Sequence, residues 1–113
     1  MIIDHRVYAF KPDMLQIWMA EWERTALPIQ KEILGRFLGM YTTEVGALNE
    51  VVHLWAYESL GDRERRRQKM QADPRWRAYL KQLAELAPYE YTSNRILRPT
   101  AFSPQLETRY SEA

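Results

Sequence analysis

The sequence predicts an α+β domain with the element order β-α-β-β-α-β. Three observations predict it. Four short segments mix β-branched and aromatic residues with polar ones. Two longer segments repeat apolar residues every three or four positions. Pro, Gly, Ser or Asp marks most of the boundaries between them.

The elements follow in order. Ile2 to Phe10 reads as a strand without Gly or Pro, and Lys11-Pro12-Asp13 ends it. Met14 to Ile33 reads as a helix whose stripe is Leu15, Trp18, Met19, Trp22, Ala26, Ile29 and Ile33. Pro28 predicts a kink there, or a second short helix starting near Leu27. Gly35 stands where a helix-ending glycine belongs. Arg36 to Val45 and Glu50 to Glu58 read as strands joined by the short turn Gly46-Ala47-Leu48-Asn49. Ser59 is an N-cap with Asp62 three residues on, opening a charged helix from Leu60 to Gln71. Asp73-Pro74 caps the next helix, Pro74 to Ala87, whose apolar positions are Trp76, Tyr79, Leu80, Leu83 and Leu86 or Ala87. Pro88 stops it, and Tyr89 to Leu97 is the last strand. The domain thus spans residues 1–98, and residues 99–113 read as an irregular C-terminal arm.

Right-handed crossovers turn this order into a four-stranded antiparallel sheet. The first and third strands lie in its centre, and both helices lie on one face. Alternation along the third strand separates Val52, Leu54 and Ala56 from Val51, His53, Trp55 and Tyr57. The small aliphatic set is expected under the helices and the aromatic set on the open face. On the first strand Arg6, Tyr8 and Phe10 share a face. On the second, Phe37 and Tyr41 fall on one side, Leu38 and Met40 on the other. An open face rich in aromatics would be a large exposed apolar patch, which a second copy would cover. The alternative is a monomer whose C-terminal arm folds back over the sheet.

Composition narrows the function classes. The chain has 113 residues, 46% of them hydrophobic, which suits one domain with a filled core. A formal net charge of +1 argues against a dedicated nucleic-acid binder. With no cysteine there is no disulfide and no thiolate metal site. No signal-like apolar run opens the chain, and none approaches the roughly 18 residues of a membrane span, so a cytoplasmic protein is the expectation. The 4 Trp and 7 Tyr are many for this length, and such residues line interfaces and pockets. No nucleophile elbow, Walker loop or glycine-rich fingerprint occurs.

A family resemblance adds to this. HRVYAFKPDML, LPIQKEILGRFLGMYTTEVGALNEVVHLWAYESLGDRERRR, ADPRW and NRILRP together resemble the NIPSNAP family, over residues 2 to 104. The specific part is the middle block, an LG run leading through GxxN to VxHxWxY. The resemblance implies ferredoxin-like protomers paired into a dimeric α/β barrel with a cavity in each. The family's activity is poorly defined. Related branches of the superfamily include cofactor-independent monooxygenases, isomerases, decyclising enzymes and haem-handling proteins, so fold alone does not settle function. The resemblance also implies an aliphatic residue at the position of His5, from which this sequence departs.

Several residues could carry chemistry. His53 would move a proton or orient a substrate, or else is a hydrogen-bonded core histidine. Arg6 is costly to bury alone, so it pairs with a carboxylate such as Asp4 or Glu44, or receives an anionic ligand. Tyr8, Trp55 and Tyr57 would shape a pocket, with Tyr41 and Arg95 as further ligand-binding candidates. His5 and His53 fall on opposite faces by parity, so no metal site is expected, and no cofactor is indicated. The run Arg63, Arg65, Arg66, Arg67 and Lys69 reads as a solvated helix face balanced by Asp62 and Glu64. Two functional classes remain. One is a small-molecule protein acting on a hydrophobic or aromatic metabolite, as an oxygenase or isomerase if it is an enzyme, which requires a cavity of some hundreds of Å³. The other is an interaction module whose dimer surface docks a partner.

Overall fold

A computed structural model describes residues 1–104. Strand β1 is Ile2–Phe10, β2 Arg36–Thr42, β3 Glu50–Tyr57 and β4 Tyr89–Leu97. Helix α1 is Leu15–Glu21, α2 Leu27–Ile33, α3 Leu60–Ala72 and α4 Pro74–Leu86. Between α1 and α2 the chain makes a π-helical turn, Trp22–Ala26, in which the Leu27 N–H reaches back to the Trp22 carbonyl. A separate short helix does begin at Leu27, and Pro28 sits in its first turn, where its missing N–H costs nothing.

The sheet is four-stranded and antiparallel, in the order β2-β3-β1-β4. The central pair is in register with Ile2 opposite Tyr57, Asp4 opposite Trp55, Arg6 opposite His53 and Tyr8 opposite Val51. The caps follow the sequence. Ser59 Oγ accepts from the Asp62 N–H at 3.1 Å, and Asp73 Oδ1 accepts from the Arg75 N–H at 2.8 Å. Gly35 takes a φ of +93° after α2, and Ala87 ends α4 in the left-handed region. The arm expected over residues 99–113 lies outside the described residues from 105 onward.

Two expectations about faces are corrected. Val51, His53, Trp55 and Tyr57 lie under the helices, not on the open face. All four are buried, and the His53 ring meets Trp22 of the π-helical turn edge-on at 5.8 Å. Val52 and Leu54 point to the open side and are only half-buried. The helices bring tryptophans of their own, so the helix-facing side of the sheet is the one with depth for large rings. Trp18 stacks on Trp22 at 5.7 Å and tilts against Phe10 at 4.7 Å, and both tryptophans are buried.

The second correction is local. Pairing of β2 with β3 shifts between Phe37 and Gly39, so Leu38 is an extra residue in a bulge. The bulge inverts parity, and Phe37 and Met40 share the helix side while Tyr41 faces away. Phe37 packs on Trp55 at 4.9 Å. Gly39 carries the distortion with a φ of +153°, a conformation that side chains disfavour. The open face therefore consists of Ile3, His5 and Val7 from β1, Val52 and Leu54 from β3, Gly39 and Tyr41 from β2, and Ser93 and Arg95 from β4.

Candidate functional site

Central strands place their helix-side residues in a row, and here that row is polar in the middle. Asp4, Arg6 and Tyr8 of β1 and His53, Trp55 and Tyr57 of β3 border a cavity of about 40 Å³. Gln30 and Leu34 close it from α2 and its end, Arg67 and Met70 from α3, and Trp76 from α4. The void is far below the several hundred Å³ that a whole metabolite needs. It has room for roughly three water-sized groups.

Asp4 anchors the charged part. It is 1% exposed, and its Oδ2 accepts from Arg6 Nη1 and from Arg63 Nε, both at 3.1 Å. Its Oδ1 accepts from Asn94 Nδ2 at 3.1 Å. Burial alone would raise the Asp4 pKa, but Arg6, the Asn94 amide and Arg63 outweigh it and hold the carboxyl ionised, below its ordinary value. Arg6 thus has Asp4 as an internal partner, the first of the two readings that its sequence position allowed. Its Nε also donates to the Tyr8 hydroxyl at 3.3 Å.

His53 is 1% exposed, and its Nδ1 accepts from the Trp55 indole N–H at 3.1 Å. Burial, and then the nearby Arg6 charge, push its pKa down to about 3. The ring is therefore neutral across the physiological range. Burial likewise pushes the Tyr57 phenol up to about 12.

Three buried polar atoms of the lining have no hydrogen-bond partner among the described residues: His53 Nε2, Tyr57 OH and Gln30 Oε1. Each such atom costs about 1–3 kcal/mol if left dry and unpaired. Arg67 borders the same void, half-buried, without an ion pair among the described residues. Burial, and then Arg6, lower its pKa from the ordinary arginine value. With Arg6, Arg63 and Arg67 against Asp4, guanidiniums outnumber carboxylates and the site is cationic.

The structure brings five sequence-chosen residues together, namely Arg6, Tyr8, His53, Trp55 and Tyr57. It does not bring Tyr41 or Arg95. Tyr41 is opposite Val52, and Arg95 is opposite His5, both on the open face. His5 and His53 lie on opposite faces, and no group of three or more His, Asp or Glu among the described residues could hold a metal. The basic run is a solvated face only in part, since Arg65 and Lys69 are exposed while the others are half-buried. Arg63 and Arg67 point inward, and Arg66 Nη1 donates to the Ile33 carbonyl at 3.1 Å. A signal for this exists, since Arg63, Arg67 and Met70 fall at i, i+4 and i+7, one helical stripe. Gln30, Leu34 and Trp76 were not foreseen as lining.

The sequence and the fold resemble those of known proteins. The NIPSNAP family model matches residues 3–104. Among curated relatives, Protein NipSnap of Drosophila melanogaster is 31% identical over 103 residues, 91% of this chain and 36% of that protein. The NipSnap homolog of Dictyostelium discoideum is 37% identical over 71 residues, 63% of this chain and 31% of that one. The chain spans about a third of the length of these relatives. Solved structures match it at nearly full length. A NIPSNAP-like domain protein from Burkholderia xenovorans has a TM-score of 0.87 at 37% identity, covering 97% of this chain and 94% of its own. A NIPSNAP family protein from Agrobacterium tumefaciens has a TM-score of 0.86 at 38% identity, covering 91% and 96%. An antibiotic biosynthesis monooxygenase-like protein from Nitrosomonas europaea reaches 0.64 at 12% identity, covering 88% and 98%, a likeness of fold alone. Sequence match and fold agree: the chain belongs to the NIPSNAP family.

Proposed function

We propose that this domain binds a small organic acid, seating its carboxylate in the cavity between the sheet and α2–α4. One observation carries the reading. The buried donors His53 Nε2 and Tyr57 OH, without a partner among the described residues, surround the same void as Arg67, which has no ion pair among them. A carboxylate has three heavy atoms, the size of the space available. Met70, Leu34, Trp55 and Trp76 supply apolar walls for an aliphatic or aromatic body, which enters as a lining side chain moves aside. The low pKa of His53 favours hydrogen-bond donation to a bound anion over proton shuttling near neutrality. Arg6 is held by Asp4 and positions the charge field of the site; Arg67 contacts the ligand directly.

In this reading the domain works as a homodimer. The open face offers Ile3, Val7, Val52 and Leu54, half-exposed aliphatic residues on a central strand pair, and a second copy of the sheet would cover them. The dimer then serves the scaffold, while the ligand site stays within each protomer.

Calorimetric titration tests the binding claim with benzoate against benzamide, its neutral isostere. Benzoate is expected to bind at least tenfold more tightly, and Arg67→Met to weaken benzoate by roughly tenfold or more, the size of a lost charge-assisted hydrogen bond. Equal binding of the two ligands, or an Arg67→Met protein that binds benzoate like wild type, refutes the reading.

A further inference from the structure

His53 has two ring nitrogens and one proton to place on them. The local geometry decides which nitrogen carries it. Trp55 Nε1 can only donate, and it lies 3.1 Å from His53 Nδ1 with both residues 1% exposed. Nδ1 must therefore offer a lone pair, and the proton of the neutral ring sits on Nε2. That Nε2 is buried, has no partner among the described residues, and belongs to a residue that borders the cavity.

We infer that Trp55 is a positioning residue that fixes His53 in its Nε2–H tautomer, so that the cavity meets a hydrogen-bond donor and selects acceptor anions. The contact is built by the strand itself. Residues 53 and 55 lie two apart on one face of β3, so the indole can reach back along the strand to the imidazole. Neighbours hold both rings. Trp55 packs on Phe37 at 4.9 Å, and His53 lies between Tyr8 at 4.8 Å and Trp22 at 5.8 Å, each met edge-on. Swapping the tautomer would set an Nδ1–H against the indole N–H, two donors facing each other in a buried place. This arrangement also denies the cavity the Nε2 lone pair that a metal ion would require.

The inference rests on the anion-binding reading for its functional half and on geometry alone for its tautomeric half, and the experiment separates them. Long-range proton–nitrogen correlation spectra of the ¹⁵N-labelled protein report the tautomer of each histidine near neutral pH, with the open-face His5 as internal comparison. Wild type is expected to show a pyrrole-type Nε2 and a pyridine-type Nδ1 for His53. Trp55→Phe keeps an aromatic ring and removes the N–H. It is expected to lose that pure pattern and to bind benzoate roughly three- to tenfold more weakly, with its benzamide affinity changed less. An Nδ1–H tautomer in wild type overturns the inference whether or not benzoate binds. So does a Trp55→Phe protein with the wild-type spectrum. Should Trp55→Phe fail to fold, the wild-type spectrum still decides the tautomer, and His53→Gln tests the donor, since its amide N–H₂ should retain more benzoate affinity than His53→Leu. Equal losses in those two variants would overturn the selection claim.

Discussion

The two faces of the sheet carry opposite chemistry on the same strands. On the helix side, Asp4, Arg6, Tyr8, His53, Trp55 and Tyr57 combine large rings with buried charge around a small void. On the open side, Ile3, Val7, Val52 and Leu54 are small, aliphatic and half-exposed. The contrast teaches where depth is available. A helix layer rides above a sheet on its own side chains, and between Trp18, Trp22, Met70 and Trp76 there is room for rings and a cavity. The aliphatic strip on the central strand pair, flanked by His5, Tyr41 and Arg95, instead suits close packing of sheet on sheet.

The sharpest way to break the contrast is to remove a ring from the deep side. Trp18→Ala is expected to cost about 3–5 kcal/mol in urea unfolding, because it empties a fully buried position touching Tyr8, Phe10, Trp22 and Tyr89. The Trp18 indole N–H also donates to the Tyr89 hydroxyl at 2.9 Å, which would be left without that donor.

A second effect, smaller, comes from pH. The folded pKa of His53 is about 3 and its ordinary value 6.5, so between them the unfolded chain binds a proton that the folded one refuses. Stability from this residue is complete above pH 6.5 and falls as pH drops toward 3, by a total of roughly a few kcal/mol. His53→Gln should flatten that slope when urea midpoints are measured across the window. A wild-type slope that survives the substitution would show that other groups produce it. Asp4 acts later in acid, since its depressed pKa keeps its contribution until pH falls below 3.8.

The smallest effect on the protomer itself belongs to the open face. Leu54→Asp should change the protomer's stability by about 1 kcal/mol or less, because Leu54 is only half-buried. It is nevertheless expected to abolish the proposed pairing of protomers in sedimentation velocity and to leave benzoate binding within about twofold. A dimer that persists in Leu54→Asp would move the interface elsewhere.

Element type and order were legible because each signal was local. Periodicity, caps at Ser59 and Asp73, and breakers at Pro12, Gly35 and Pro88 sit in the segments they define. The choice of face was not local. Alternation in VVHLWAY sorts residues into two sets but does not say which set the helices cover, and size alone misled. The Leu38 bulge was equally hidden, since it shows only in the pairing of β2 with β3. Grouping of Arg6, Tyr8, His53, Trp55 and Tyr57 was legible because parity is preserved within each central strand. The inward arginines were obscured by their charge. Arg63 is half-buried, and the carboxylate that receives its Nε, Asp4, lies 59 positions away in sequence.

The π-helical turn at Trp22–Ala26 has a consequence for the far end of its helix. In an unbroken α-helix Gln30 would stand roughly 120° around the axis from Trp18, on the flank. One extra residue in the winding sets everything after it back by about 100°, which aligns Gln30 with the tryptophan stripe. Its side chain is indeed buried at the cavity, beside the end of α2 that Leu34 closes. The turn acts as a phase setting: one residue gained or lost between Trp22 and Ala26 would leave both helices intact and swap which side chain looks into the site.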